Sequence, residues 1–381
     1  MSRPDPRRLH FAQTVLFSAA MGMAIPLVFQ HLEVTFQARA STVGWIAAVF
    51  GGVQVAVRLP LGRWVDERGE RGALVVSWGL TALAGVSLFQ AGSTLALAGA
   101  FTLYGLAIGI FWVPANTLAA RLAQPGEVAR AMTVFMVATG IGFTAGPLLG
   151  GVADLVGFEW ALLSLAPLGL LGGVLALGQR TGGRGLSETV GPEADPVGLG
   201  LGFASAFYLG FLLGTGDAFI PVLLAATGVA AFGVGMFIAG REGVNLLARL
   251  VTARAVADRT APGFLALGAL AGAVGLVLFP RADTVFALAA SASLMGVGVG
   301  LVAPASLTLT ARGTRPADAG RSMGRWGAIL GVGMLVGPAL LGPVGEAFGL
   351  AWVFDGTALL SLAMAGLSGV RQVRVRAETR A

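Results

Sequence analysis

The chain has 381 residues, 56% of them hydrophobic and only 12% charged, with a formal net charge of +6 and no Cys; its mean hydropathy is +0.82. Soluble domains carry about a quarter of their residues as charges, so this composition excludes a soluble globular domain and marks a polytopic membrane protein. The lack of Cys removes disulfides and thiolate metal sites.

Apolar runs of about 20 residues, the length that crosses a bilayer, follow one another along the chain. The predicted spans are 11–30, 41–61, 73–92, 94–120, 131–152, 160–178, 198–224, 229–252, 263–280, 284–311, 322–343 and 350–370, twelve in all. They are continuously apolar rather than alternating, which excludes barrel strands and predicts an all-α membrane fold. Residues 179–196 form the one polar stretch long enough to be a linker, with Gly182, Gly183, Arg184 and Gly185, then Gly191-Pro192 and Asp195-Pro196. Such a segment cannot bury a core. It predicts a six-helix bundle over 1–178, a cytoplasmic linker over 179–197 and a second six-helix bundle over 198–381.

The basic residues are all Arg. Arg3, Arg7 and Arg8 precede span 1, Arg63, Arg68 and Arg71 follow span 2, and Arg121 and Arg130 separate spans 4 and 5. Arg180, Arg184, Arg254, Arg259, Arg312, Arg315, Arg321, Arg371, Arg374, Arg376 and Arg380 continue on the same side, whereas the opposite loops hold only Arg39 and Arg281. The positive-inside rule then places both termini and the linker in the cytoplasm, for a multi-pass protein of the cell (inner or plasma) membrane. The net charge is thereby explained by topology, with no nucleic-acid partner. Span 1 is too long, and lacks the small-residue pattern, for a cleavable signal peptide.

The sequence is also written twice. Ala120-Arg121, Pro125, Arg130 and Met132 return 191 residues later (312 − 121) as Ala311-Arg312, Pro316, Arg321 and Met323. Gly140, Gly142, Gly146 and Pro147 return as Gly331, Gly333, Gly337 and Pro338; at an offset of 192, Gly157 and Trp160 return as Gly349 and Trp352. Two matched membrane-embedded halves predict a pseudo-two-fold axis along the membrane normal and a transport function.

After span 2 the chain reads Arg58-Leu59-Pro60-Leu61-Gly62-Arg63-Trp64-Val65-Asp66-Glu67-Arg68-Gly69-Glu70-Arg71. This resembles the Gly-x-x-x-Asp-Arg-x-Gly-Arg-Arg signature loop of the major facilitator superfamily, with Glu67-Arg68 in place of the direct Asp-Arg; a degraded copy follows span 8 around Asp258-Arg259. Gly62 permits close helix approach, Gly69 a tight turn, and Asp66 a carboxylate for the positive start of a helix in the other half. Gly62, Asp66, Arg68, Gly69, Arg71 and Asp258 are therefore expected to form a conformational latch. Asp66 is expected beside Ser322 to Gly324, and Asp258 beside Ala129 to Thr133.

Span 5 carries Gly142, Gly146-Pro147 and Gly150-Gly151, which resembles the Gly-x-x-x-Gly-Pro-x-x-Gly-Gly antiporter motif of superfamily exporters, with Thr133 where an earlier Gly stands. Small residues spaced by four permit close helix contact. Span 4 departs from the drug:proton antiporter pattern: Phe101-Thr102-Leu103-Tyr104-Gly105 replaces its Arg-x-x-Gln-Gly. The resemblance implies a monomeric secondary transporter of a small molecule, without cofactor. Export is the first reading and nutrient import on the same fold the alternative.

Charges inside a bilayer cost about 2.5–3.5 kcal/mol or more at its centre, so they face partners or a cavity. Span 8 holds Arg241, Glu242 and Asn245, with Arg249 further on, and span 7 holds Asp217 in its outer third. Glu242 and Asp217 are the candidates for coupling transport to protons, Arg241 and Asn245 their partners; a permanent Arg241–Glu242 pair and a hydrated Asp217 are the competing readings. Both His residues are expected at or beyond helix ends. Spans 1, 4, 7 and 10 line the pathway in the family resembled, which makes Gln13, Met21, Tyr104, Trp112, Asn116 and Tyr208 cavity candidates, with Phe143 of span 5. Such aromatics suit amphipathic, weakly polar solutes. No phosphate-binding Gly-x-x-x-x-Gly-Lys loop exists in a chain without Lys, and His and carboxylates do not cluster as metal ligands, so an enzyme, a metal centre and ATP-driven transport by this chain are excluded.

Overall fold

The computed structural model describes residues 5–122, 128–179, 196–255, 260–312 and 319–378, and among them all the regular structure is helical. The helices are α1 (Pro6–Val34), α2 (Ala40–Arg68), α3 (Glu70–Phe89), α4 (Thr94–Arg121), α5 (Val128–Gly150), the single turn α6 (Ala153–Val156), α7 (Phe158–Leu163) and α8 (Leu165–Leu177). Then come α9 (Pro196–Ala226), α10 (Ala231–Ala255), α11 (Ala261–Leu278), α12 (Val285–Arg312), α13 (Ala319–Phe348) and α14 (Ala351–Glu378). α7 and α8 together make one apolar stretch, Phe158–Leu177. A helix satisfies every backbone group within its own segment, which is why apolar runs in a bilayer adopt it.

Among the described residues, eleven helical stretches are long and apolar enough to cross a membrane. The exception among the long helices is α10, whose 25 residues include Arg241, Glu242 and Arg249. At 1.5 Å per residue it is about 37 Å long, enough to span. Its charges, not its length, set it apart.

Local chemistry fixes the helix starts. Asp5 caps α1, its Oδ1 accepting from the Arg7 N–H at 3.0 Å, and Pro6 occupies the first helical position. Ser93 caps α4 through the Ala96 N–H at 3.2 Å, and Thr284 caps α12 through the Ala287 N–H at 3.1 Å. These two hydroxyls are 191 residues apart. Left-handed turns recur likewise: Gln37 and Gly228 share a positive φ at that offset, as do Gly157 and Gly349 at 192. Gly69, with φ 79°, is the only residue between α2 and α3, the tight turn its position requires.

The described chain divides into two compact units. Unit 1 takes residues 1–39, 49–187 and 220–239, and unit 2 takes 40–48, 188–219 and 240–381. In unit 1, α1 packs on α5 and α3 packs on both α4 and α8; in unit 2, α11 packs on both α12 and α14. Glycines set the approach. A Cβ at Gly142 or Gly146 of α5 would run into the backbone of α1 at Val15 and Ala19, and one at Gly333 or Gly337 of α13 into the backbone of α9 at Phe207 and Phe211. The same glycine pair thus serves each unit.

Not every glycine of the motif is equally demanding. At Gly146 the obstruction is the Ala19 main chain, which cannot yield, whereas a Cβ at Gly150 would meet only the Leu27 side chain, at 3.5 Å. Gly146→Val is therefore expected to lower stability by about 1–3 kcal/mol, seen as a fall in the melting temperature of the purified protein. Gly150→Ala should leave that temperature nearly unchanged.

Candidate functional site

The charged residues of α9 and α10 meet in one network inside unit 2. Arg241 Nη2 lies 2.8 Å from Glu242 Oε1 and 3.3 Å from Asp217 Oδ1, and its Nε donates to Glu242 Oε1 at 3.0 Å. Asn245, one turn further, donates from Nδ2 to Glu242 Oε2 at 2.9 Å. The Arg241 side chain is 9% exposed, Glu242 14% and Asp217 27%. Such burial is tolerated because each charged group is paired. Asn245 Oδ1, and in α9 Thr215 Oγ1, which faces Gly337 of α13, are buried with no hydrogen-bond partner among the described residues.

α12 holds this stretch of α10 in place. A Cβ at Gly296 would collide with the Arg241 carbonyl oxygen, and one at Gly300 with Ala248 Cβ and the Asn245 carbonyl oxygen. With backbone on backbone, Arg241 and Asn245 have little room to swing away. Asp217, its side chain 27% exposed, shares the guanidinium with Glu242.

Unit 1 holds an aromatic cluster of its own. Phe17 stacks on Phe111 at 3.6 Å between ring centroids, Trp112 stands edge-on to both, and Trp112 and Phe143 are near-parallel at 6.4 Å. Trp112 and Phe143 are half-buried and Asn116 is exposed, its Nδ2 donating to the Trp112 carbonyl at 2.7 Å. The other cavity candidates sit deeper. Gln13, Tyr104 and Tyr208 are fully buried and Met21 nearly so; Gln13 accepts from Gln179 at 3.4 Å, and the Tyr208 hydroxyl donates to Ser361 at 3.0 Å. These side chains are engaged in helix packing in this conformation.

Of the expected latch, Asp258 and the side chains of Gly62, Asp66 and Arg68 lie outside the described residues, while Arg71 is exposed. Beside that loop stands a pair that sequence reasoning missed: buried Glu70, the first residue of α3, lies 2.6 Å from Arg121 Nη1 at the end of α4. Of the two histidines, His31 stands in the last turn of α1, at a helix end as expected, and His10 lies inside the helix. α1 begins five residues before its apolar core, which brings His10 inside; both histidines are buried, His10 stacked on Phe135 and His31 with Nε2 3.7 Å from Glu159. Hydropathy marks the apolar middle of a helix and not its ends.

A family model described as Major Facilitator Superfamily matches residues 11–240, which is 230 of the 381 positions. The chain belongs to the Major Facilitator Superfamily. This facilitator is 27% identical over 224 residues to the multidrug efflux pump LfrA of Mycolicibacterium smegmatis, an alignment covering 58% of this chain and 42% of that protein. Its fold matches the crystal structure of the nucleoside transporter NupG with a TM-score of 0.81 at 15% identity, over 96% of this chain and 99% of that one. It also matches an inward-facing structure of a bacterial homologue of the human lysosomal transporter Spinster, with a TM-score of 0.73 at 15% identity, over 100% of this chain and 98% of that one. At that identity the structural likeness establishes the fold alone.

The family and the relatives this chain matches are transporters and not enzymes, and the alignment spans less than half the length of the efflux pump. Asp217, Glu242, Arg241 and Arg249 sum to zero when all are ionised, yet at Arg241 two carboxylates compete for one guanidinium.

Proposed function

We propose that this superfamily member exports a small amphipathic molecule by alternating access, driven by protons, as a monomer in the cell membrane. Its two halves, 1–178 and 198–381 joined by the linker 179–197, act as pseudo-symmetric six-helix bundles with both termini in the cytoplasm. The observation that carries the reading is the Asp217–Arg241–Glu242–Asn245 network, a buried set with a spare carboxylate that a proton can occupy. Export is favoured by the span 5 glycine–proline pattern and by the similarity to an efflux pump. The half-buried Trp112 and Phe143 suit a flat, weakly polar solute.

Direction is decided by flux. In right-side-out and inside-out vesicles with an imposed pH gradient, export predicts substrate accumulation only in the inside-out set when the interior is acidic. Accumulation in right-side-out vesicles with the outside acidic would make the protein an importer instead. The substrate for this assay comes from growth of an efflux-deficient host, expressing the chain, against a panel of compounds.

A further inference from the structure

The first turn of α10, which leads to the charged network, is held by a residue 77 positions earlier. Asp154, in the single turn α6 that follows α5, accepts from the Ala231 N–H through Oδ1 and from the Phe232 N–H through Oδ2, both at 2.8 Å. The first amides of a helix have no partner within it, and a carboxylate there also meets the positive end of the helix dipole. The residue before α10 is Ala230, which has no side-chain acceptor to offer.

Close backbone packing accompanies this cap, all of it inside unit 1. A Cβ at Gly235 would collide with the Pro147 carbonyl oxygen, and a Cβ at Gly151 with Phe232. Unit 2 repeats the backbone part at an offset of 191. There Gly44 of α2 abuts the Pro338 carbonyl oxygen and Gly342 abuts Ala40 and Gly44. Both junctions lie at the ends of α5 and α13 remote from Arg130 and Arg321, hence at the membrane face opposite the arginine-rich loops.

We propose that Asp154 is a positioning residue for transport: by gripping the first turn of α10 it fixes where Arg241, Glu242 and Asn245 stand, and its release accompanies opening of that face. α10 is one uninterrupted helix, so ten residues separate the grip at Ala231 from Arg241, about 15 Å along a rod. Asp154 is exposed, so water can take over its bonds and those of the two amides when the grip is released. A grip that water can replace is reversible, which a permanent anchor buried in the core would not be. The consequence for coupling rests on the proposed role of the network; the grip itself does not.

The native chain has no Cys, so a single Ile238→Cys substitution supplies a reporter. Ile238 is buried, in the second turn of α10 between the grip and Arg241. The experiment labels that Cys with a membrane-impermeant maleimide in right-side-out and inside-out vesicles, without substrate or pH gradient, so that failure of the coupling assignment cannot affect it. Asp154→Ala is expected to raise labelling from the face opposite the arginine-rich loops by about fivefold or more, the lower end of what coupled sites exchange. Asp154→Asn, which keeps an acceptor but not the charge, should fall between. Unchanged labelling in both variants, with or without a lower melting temperature, would mean a merely structural cap and overturn the proposal. If Asp154→Ala does not fold, Asp154→Ser keeps a hydroxyl acceptor and carries the same test; labelling equal to the parent's overturns the proposal there too.

Discussion

Glu242→Gln is expected to abolish transport against a gradient while leaving substrate exchange intact, with pH-driven accumulation falling by about tenfold or more, the effect of 1.4 kcal/mol in an equilibrium. The substitution is nearly isosteric. Gln retains one acceptor, its amide oxygen, for Arg241, now 2.8 Å from the carboxylate, while its amide NH2 replaces the oxygen that accepts from Asn245 at 2.9 Å and donates to Asn245 Oδ1 once that amide turns over. What it loses is the ability to change charge. Without a proton to gain and lose, Arg241 cannot be alternately held and released, and the two conformations keep a fixed ratio in any pH gradient. Proteoliposomes assayed in parallel for pH-driven uptake and for counterflow separate the two activities.

Asp217 provides the internal control. Its bond to Arg241 is the longer, at 3.3 Å, and its side chain the more exposed of the two carboxylates. Asp217→Asn should therefore weaken gradient-driven transport less than Glu242→Gln. The reverse order moves the coupling proton to Asp217, and full activity in both variants removes proton coupling from this network.

The fold was legible because duplication imposes the same physical demands twice. A glycine at 142 and at 333 is needed wherever two helix backbones touch, a hydroxyl at 93 and at 284 wherever a helix starts without its own acceptor, and a glycine at 157 and at 349 wherever the chain turns left-handed. These positions recur by residue type and can be read from the sequence. Gln37 shares its positive φ with Gly228 and could not, since the backbone conformation is conserved between the halves while the residue is not.

The candidate site was legible in part for a related reason. Charges in an apolar helix stand out, so Arg241, Glu242 and Asp217 could be named, but which side chain reaches which depends on how α9 and α10 face each other. Glu70 went unnoticed because it reads as one charge in a charged loop, and the repeat offers no echo: 191 residues later stands Ala261. Residue type and helix make Tyr104 and Tyr208 cavity candidates, but neither says which way a ring points, and both rings are buried.

Arg241→Met should have the largest effect on stability of any single substitution in the site. Arg241 is the one guanidinium between two carboxylates, and its own side chain is almost completely enclosed. Removing one partner from a buried ion pair costs about 3–5 kcal/mol, because the remaining charge keeps its desolvation penalty and loses its compensation. Here two carboxylates are stranded, so Arg241→Met is expected to lower the yield of folded protein in the membrane and its melting temperature in detergent. The triple variant Arg241→Met, Glu242→Gln, Asp217→Asn removes both stranded carboxylates together with their guanidinium. Replacing a whole buried charge set by neutral groups of similar volume is often neutral or stabilising, so the triple variant should regain most of the lost melting temperature. It should not regain pH-driven transport, since no group that titrates is left at the site. Recovery of stability without transport would separate the energetic cost of these charges from their use. A triple variant as unstable as Arg241→Met alone would show that Arg241 matters for the fold through the space its side chain fills and not through its charge.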